Sequence, residues 1–214
     1  MKKPTDNLQS IADQIRADFS AKDATREKVL PLCRDVIRNS SQAIRAIHRQ
    51  QFDRAKKGLA AASSLLDEIK NALADCRELE GRGFVRDAQK EFVEGSVTLA
   101  VVRAEPLPRP DELGVDHAAY LNGLGEAVGE LRRYLLDSMR RGDLSRGEEL
   151  LEAMDDIYGV LVTMDFPDAI TGGLRRTTDM VRGVLEKTRG DLTLAVRQKE
   201  LESRLGEFEE KSSC

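Results

Sequence analysis

Apolar residues recur every three or four positions along nearly the whole chain, the spacing of one helical face, and no stretch alternates as a half-buried strand would. From Asn7 to about Phe19 the stripe is Leu8, Ile11, Ile15 and Phe19. Asp23 precedes the next run and reads as the N-cap of a second helix ending near Arg49. A third begins near Gln51 and continues through Leu59, Leu65, Leu66, Ile69 and Leu73. A fourth covers about Gly83 to Arg103. The segment AEPLPRPDELGVD then interrupts, because Pro106, Pro108 and Pro110 oppose helix. Helix five runs from about Asp116 to Gly142, with Arg140 and Arg141 placed at the negative end of its dipole. Asp143 or Ser145 caps helix six, which ends before Asp165-Phe166-Pro167. A last helix extends from about Ala169 to Leu205, ~36 residues and therefore ~54 Å. An acidic tail, 206–214, is expected to fray. The pattern predicts an all-α fold: one domain over residues 1–214, an antiparallel bundle of about seven helices.

Composition agrees with that reading and narrows the function. With 34% charged residues, 4% aromatics and no Trp, the chain is rich in helix formers. A net charge of −4 carries no global sign of nucleic-acid binding, so such a role requires segregated charge. Cys33, Cys76 and Cys214 are scattered and fit neither a metal-ligand spacing nor a disulfide framework. No signal peptide and no apolar run near 18 residues is present, so a soluble, cytoplasmic protein is expected.

Charge is indeed segregated. Arg34, Arg38, Arg45 and Arg49 fall within about 60° of one another on a helix surface. Val36, Ile37, Ile44 and Ile47 lie roughly opposite, so one side packs and the other presents guanidiniums. Arg54, Lys56 and Lys57 follow, and seven cations against Asp35 and Asp53 make this segment +5. Cations at helical pitch can track a phosphate backbone and release its counterions. An ordinary solvated face with intrahelical ion pairs has the same pattern.

A second feature lies in KEFVEGSVTLAVV, where Glu91 and Glu94 share one helical face with Val97, Thr98 and Val101, and Asp87 lies near it. In helix five Glu126 and Glu130 are also neighbours, preceded on roughly the same side by Ala119 and Gly123. Small residues permit close helix approach, so the two acidic pairs can face each other. Four carboxylates together need a counter-charge. A hard divalent cation such as Mg²⁺ supplies it through oxygen ligands, and can activate water against a phosphate. Solvated acids paired with Arg132 and Arg133 are the plainer reading. His48 and His117 lie outside both pairs, and His48 reads as a surface residue. There is no Gly-rich phosphate loop and no nucleophile elbow. Gly172-Gly173 reads as a flexible helix entry. Arg175, Arg182 and Arg189, with Asp179 and Glu186 nearby, suit a salt-bridged long helix.

Three runs carry a family resemblance: DFPDAITGGLRRTTDMVRGVLEKTRGDLTLAVRQKELESRL, YLNGLGEAVGELRRYLLDSMRRGDLSRGEELLEAMDDIYGVL and REKVLPLCRDVIRNSSQAIRAIHR. Over nearly the whole chain the sequence resembles the translin family, particularly its archaeal members. In that family translin proper binds nucleic acid and lacks the acidic cluster. Its partner, translin-associated factor X, is a Mg²⁺-dependent endoribonuclease, and the two build an octameric shell that cleaves RNA inside. The catalytic branch has Glu-x-x-Glu on one helix and Asp-x-x-x-Glu on another. Glu91 and Glu94 match the first pair, and Glu126 and Glu130 the second, with Glu126 standing where the pattern has Asp.

The resemblance implies a Mg²⁺-dependent endoribonuclease, with Mn²⁺ as a substitute, in a homo-oligomeric shell. Glu91, Glu94, Glu126 and Glu130 would hold the metal and serve catalysis. Arg34, Arg38, Arg45, Arg49, Arg54, Lys56 and Lys57 would contact phosphates of RNA, or of single-stranded DNA. The alternatives are a non-catalytic nucleic-acid-binding oligomer and a helical scaffold for proteins.

Overall fold

The computed structural model describes residues 3–212. Cys214 and the rest of the expected tail beyond Ser212 therefore lie outside the described residues, and no strand occurs among those described. Helix α1 spans Leu8–His48, α2 Phe52–Ala72, α3 Gly83–Val102, α4 Pro110–Leu113, α5 His117–Arg140, α6 Gly147–Leu161, α7 Asp168–Thr171 and α8 Leu174–Ser212.

The expected first two helices are one rod of 41 residues, ~60 Å long. Asp23 does not cap; it pairs within the helix with Arg26 at 3.8 Å. A capping residue ends nothing unless the chain turns, and no Gly or Pro lies between Phe19 and Leu30 to turn it. Pro31 sits inside the helix. It lies on the exposed side, so water can satisfy the carbonyl that its ring deprives of a partner.

Other boundaries shift for local reasons. Pro110 does not forbid helix but opens α4 at a first-turn position, where its missing N–H costs nothing. Asp116 caps α5, accepting from the backbone N–H of Ala118 at 3.0 Å and of Ala119 at 3.4 Å. Asp143 and Ser145 do not cap α6: Asp143 instead accepts from the Ser145 backbone and hydroxyl, shaping the turn before Arg146, the residue at the cap. The expected last helix is split at Gly172 and Gly173, whose φ values of 63° and 87° suit glycine. Beyond them α8 runs through the expected tail to Ser212.

The helices pack in sequence across the molecule. α1 and α2 form a hairpin, both touch α3, α3 lies on α5, α5 on α8, and α6 fills the angle between α5 and α8. One cluster of buried apolar side chains runs through them, from Val29 and Ile47 in α1 to Val181 and Leu192 in α8. Arg146 donates to the carbonyls of Val101 and Val102, satisfying the last turn of α3. The front of α1 leaves Leu8, Ile11, Ile15 and Phe19 exposed, and the end of α8 leaves Leu194, Leu201, Leu205 and Phe208 exposed. No helix among the described residues is long and apolar enough to cross a membrane.

Candidate metal centre and nucleic-acid face

Close approach of α3 and α5 creates the acidic site. At Gly123 an added Cβ would lie 2.7 Å from the Lys90 carbonyl oxygen and 2.7 Å from the Val93 Cβ. Ala119, one turn earlier, is fully buried. The small residues of α5 thus bring its carboxylates up to those of α3.

Glu91, Glu94 and Glu126 each offer an oxygen within 4.8 Å of the other two, and all three are half-buried. Burial, then the charges of Glu91, Glu126 and Glu130, push the Glu94 carboxyl up to about 8. Glu91 is raised as well, first by burial and then by Glu126. Lys90 supplies a counter-charge, its Nζ 2.8 Å from Glu126. Burial opposes that ammonium, yet Glu126, Asp87 and Glu91 outweigh it and hold the lysine above its ordinary value.

Glu130 stands apart from this trio of oxygens. It accepts a hydrogen bond from His48 and lies 3.7 Å from Arg133. The His48 hydrogen bond, ahead of the opposing effect of burial, holds Glu130 below its ordinary value. An ionised carboxylate only accepts, so Nε2 of His48 carries the hydrogen. Nδ1 is buried without a partner among the described residues, and the Tyr134 ring lies 6.3 Å away.

His48 is therefore not the surface residue its sequence context suggested: its side chain is 6% exposed. It is the functional candidate that sequence reasoning missed. The periodicity held a signal, because His48 follows buried Ile44 by four positions and Ile47 by one, and so borders the packed face. Arg132 turns away from the acids, pairing with Asp191 at 2.7 Å and Thr188 at 3.0 Å.

All seven cations of the basic stripe are exposed. Arg38 pairs with Asp35 at 2.9 Å and Lys56 with Glu105 at 3.4 Å. Arg34, Arg45, Arg49, Arg54 and Lys57 form no ion pair among the described residues, which separates this face from an ordinary salt-bridged one. Arg45, Arg49 and Arg54 line a hollow of ≈ 300 Å³ at the turn from α1 to α2. His48, in that same turn of α1, reaches Glu130, so the basic face ends beside the acidic site. On α8, Arg182 pairs with Glu186 as expected, but Arg189 reaches across to Asp155 of α6, and Arg175 forms no ion pair among the described residues. Burial pushes the Cys33 thiol up to about 11, consistent with a packing role.

Comparison with known proteins adds the following. No protein-family model matches the chain. It is 32% identical over 186 residues to an uncharacterised protein of Methanocaldococcus jannaschii, covering 86% of this chain and 82% of that protein. Among solved structures it is similar to AfC3PO in complex with duplex RNA, at a TM-score of 0.79 and 33% identity over 87% of this chain and 97% of the other. AfC3PO alone gives 0.78 at the same identity and coverage. Apo-NeC3PO gives 0.73 at 18% identity, over 91% of this chain and 98% of the other, and that likeness speaks for the fold alone.

Proposed function

The chain belongs to the translin family, in its archaeal C3PO-like form, and from that premise we propose that it is a metal-dependent endoribonuclease acting within a homo-oligomer. The observation that carries this reading is the convergence of three carboxylate oxygens from two helices within 4.8 Å. Glu91, Glu94 and Glu126 would hold a metal ion between α3 and α5, each offering one carboxylate oxygen. The all-oxygen donor set suits Mg²⁺ or Mn²⁺ rather than a soft metal. A bound divalent ion there would activate water and offset charge on the phosphate under attack.

The chain's own residues supply the rest. Glu130 stays ionised and accept-only, held by His48, and can orient a water by accepting its hydrogen. Arg34, Arg38, Arg45, Arg49, Arg54, Lys56 and Lys57 grip RNA phosphates without reading bases. The duplex RNA held by AfC3PO supports RNA as the ligand. The exposed apolar stripe at the front of α1 supports assembly with further copies, because such a contiguous stripe on a soluble chain marks a contact surface. A sedimentation mass of one protomer would remove the oligomer from this proposal.

The decisive experiment incubates purified protein and labelled RNA with Mg²⁺, Mn²⁺ or chelator. Cleavage that needs the metal is expected. Glu126→Ala and Glu130→Ala should each lower it by at least ~100-fold while RNA binding persists. Undiminished cleavage in both variants sinks the site.

One observation favours a second reading, a non-catalytic oligomer that holds RNA or single-stranded DNA. Glu126, with one methylene more than Asp, already has a cation in Lys90 at 2.8 Å. On that reading chelator changes nothing and the protein binds without cutting.

A further inference from the structure

Beside the acidic site, between α3, α5 and the start of α8, lies a cavity of ≈ 450 Å³. That volume is within the range of about 300–1,000 Å³ usual for small-ligand sites. Its charged walls are Arg86, Asp87 and Lys90 from α3, Glu126 from α5 and Arg176 from α8. Glu126 belongs both to this cavity and to the carboxylate trio, so the two spaces adjoin.

Three cations outnumber the two acids Asp87 and Glu126 in this cavity, and its walls are partly preset. Arg86 and Arg176 form no ion pair among the described residues, whereas Arg132, Arg146 and Arg182 each do. Arg86 lies close to Gly172, where an added Cβ would come within 2.8 Å of its Nη1. Glycine there, at φ +63°, both makes the joint and leaves room for the guanidinium. The back wall is fixed by Asn122, buried on α5: it donates to the Thr171 carbonyl at 2.8 Å and accepts from the Thr177 hydroxyl at 2.7 Å. That cross-link holds the start of α8, and with it Arg176, against α5. Lys90 stands on the boundary, lining the cavity while its Nζ touches Glu126.

We infer that this cavity is a phosphate subsite, in which Arg86, Arg176 and Lys90 hold a phosphate of the RNA strand next to the one at the carboxylates. The inference rests on the nuclease reading for its ligand. Two guanidiniums suit phosphate oxygens through paired N–H donors. The stripe on α1 approaches the carboxylates from the His48 side, while this cavity flanks them at Glu126. A strand crossing the site would thus be held on both sides of the carboxylates. The phosphate could be an internal diester or a 5′-terminal monoester, chemistry that the same three cations serve.

The test uses the full chain in chelator, so that no RNA is cut. Binding of a short single-stranded RNA, bearing either a 5′-phosphate or a 5′-hydroxyl, is measured by anisotropy for wild type, R176Q and R175Q. Arg176 and Arg175 are both exposed, so neither change disturbs the core, and Arg175 lines a different hollow beside Phe166. R176Q should weaken binding about tenfold and R175Q should not. A loss confined to the 5′-phosphorylated RNA identifies a terminal monoester; an equal loss on both identifies an internal diester. Equal affinities for all three proteins, or equal losses in both variants, overturn the subsite. Its failure leaves Mg²⁺-dependent cleavage by wild type intact. If wild type binds with the R176Q loss yet never cleaves, the subsite stands and the nuclease reading falls. A wild type that does not bind RNA overturns both.

Discussion

Glu94 is a half-buried acid set among other acids. Its carboxyl is pushed up to about 8 by burial and three neighbouring acids, against 4.5 for the free side chain. The folded metal-free chain therefore keeps a proton that the unfolded chain releases between those values. The native state binds more protons in that window, so its stability falls as pH rises from about 4.5 to about 8. Glu91 is shifted in the same direction and adds to the trend. Thermal melts in chelator should show a lower Tm at pH 8 than at pH 5.5, and Glu94→Gln should flatten the profile. Equal slopes for wild type and Glu94→Gln would contradict the burial argument. The local half of this site is legible in the sequence. Spacings of three and four place Glu91 beside Glu94, and Glu126 beside Glu130, on any α-helix. Long-range partners are not legible there: His48 meets Glu130 across 82 positions, and Lys90 meets Glu126 from another helix.

At the scale of elements, Gly123 sets how near α3 and α5 lie. A Cβ at that position meets backbone at 2.7 Å, which no side-chain rotation relieves. Gly123→Ala should cost about 1–3 kcal/mol by overpacking. Gly129 is in the same helix with open space around it. Gly129→Ala should instead gain about 0.5–1 kcal/mol from helix propensity. Urea denaturation of the two variants measures both; matching values would refute close approach as the organising contact. The same principle explains which helix ends can be read from sequence. α3 and α5 begin or end where Gly or a capping Asp lets the chain turn, whereas α2 starts after Gln50, a non-glycine residue at φ 58°. Asp23 carries a capping signal without such a turn, so α1 runs through it. Gly172 and Gly173 stand out as a pair, but that they cut the last helix depends on the chain docking at Asn122, which is set by tertiary contacts.

Across the whole molecule the charge is divided: a net acidic protein carries one exposed face with five unpaired cations among the described residues. If that face grips RNA, log Kd should vary with log salt at a slope of about 3–4, the value for some five phosphate contacts on a single strand. Replacing Arg45, Arg49 and Arg54 with Gln should reduce the slope by about 2. A salt-independent affinity would exclude the face from binding. The all-helical order, the path of the chain and the similarity to AfC3PO agree at this scale.

The rod α1 has one further consequence. It bears the row of guanidiniums on one side and, at its last turn, the imidazole that steadies Glu130. If the chain is the nuclease proposed above, grip and cutting edge would be mounted on a single shaft. A shift of that shaft, by a copy pressing on Phe19 or by a polymer pulling on Arg45, would then move both at once, so neither could be retuned without disturbing the other.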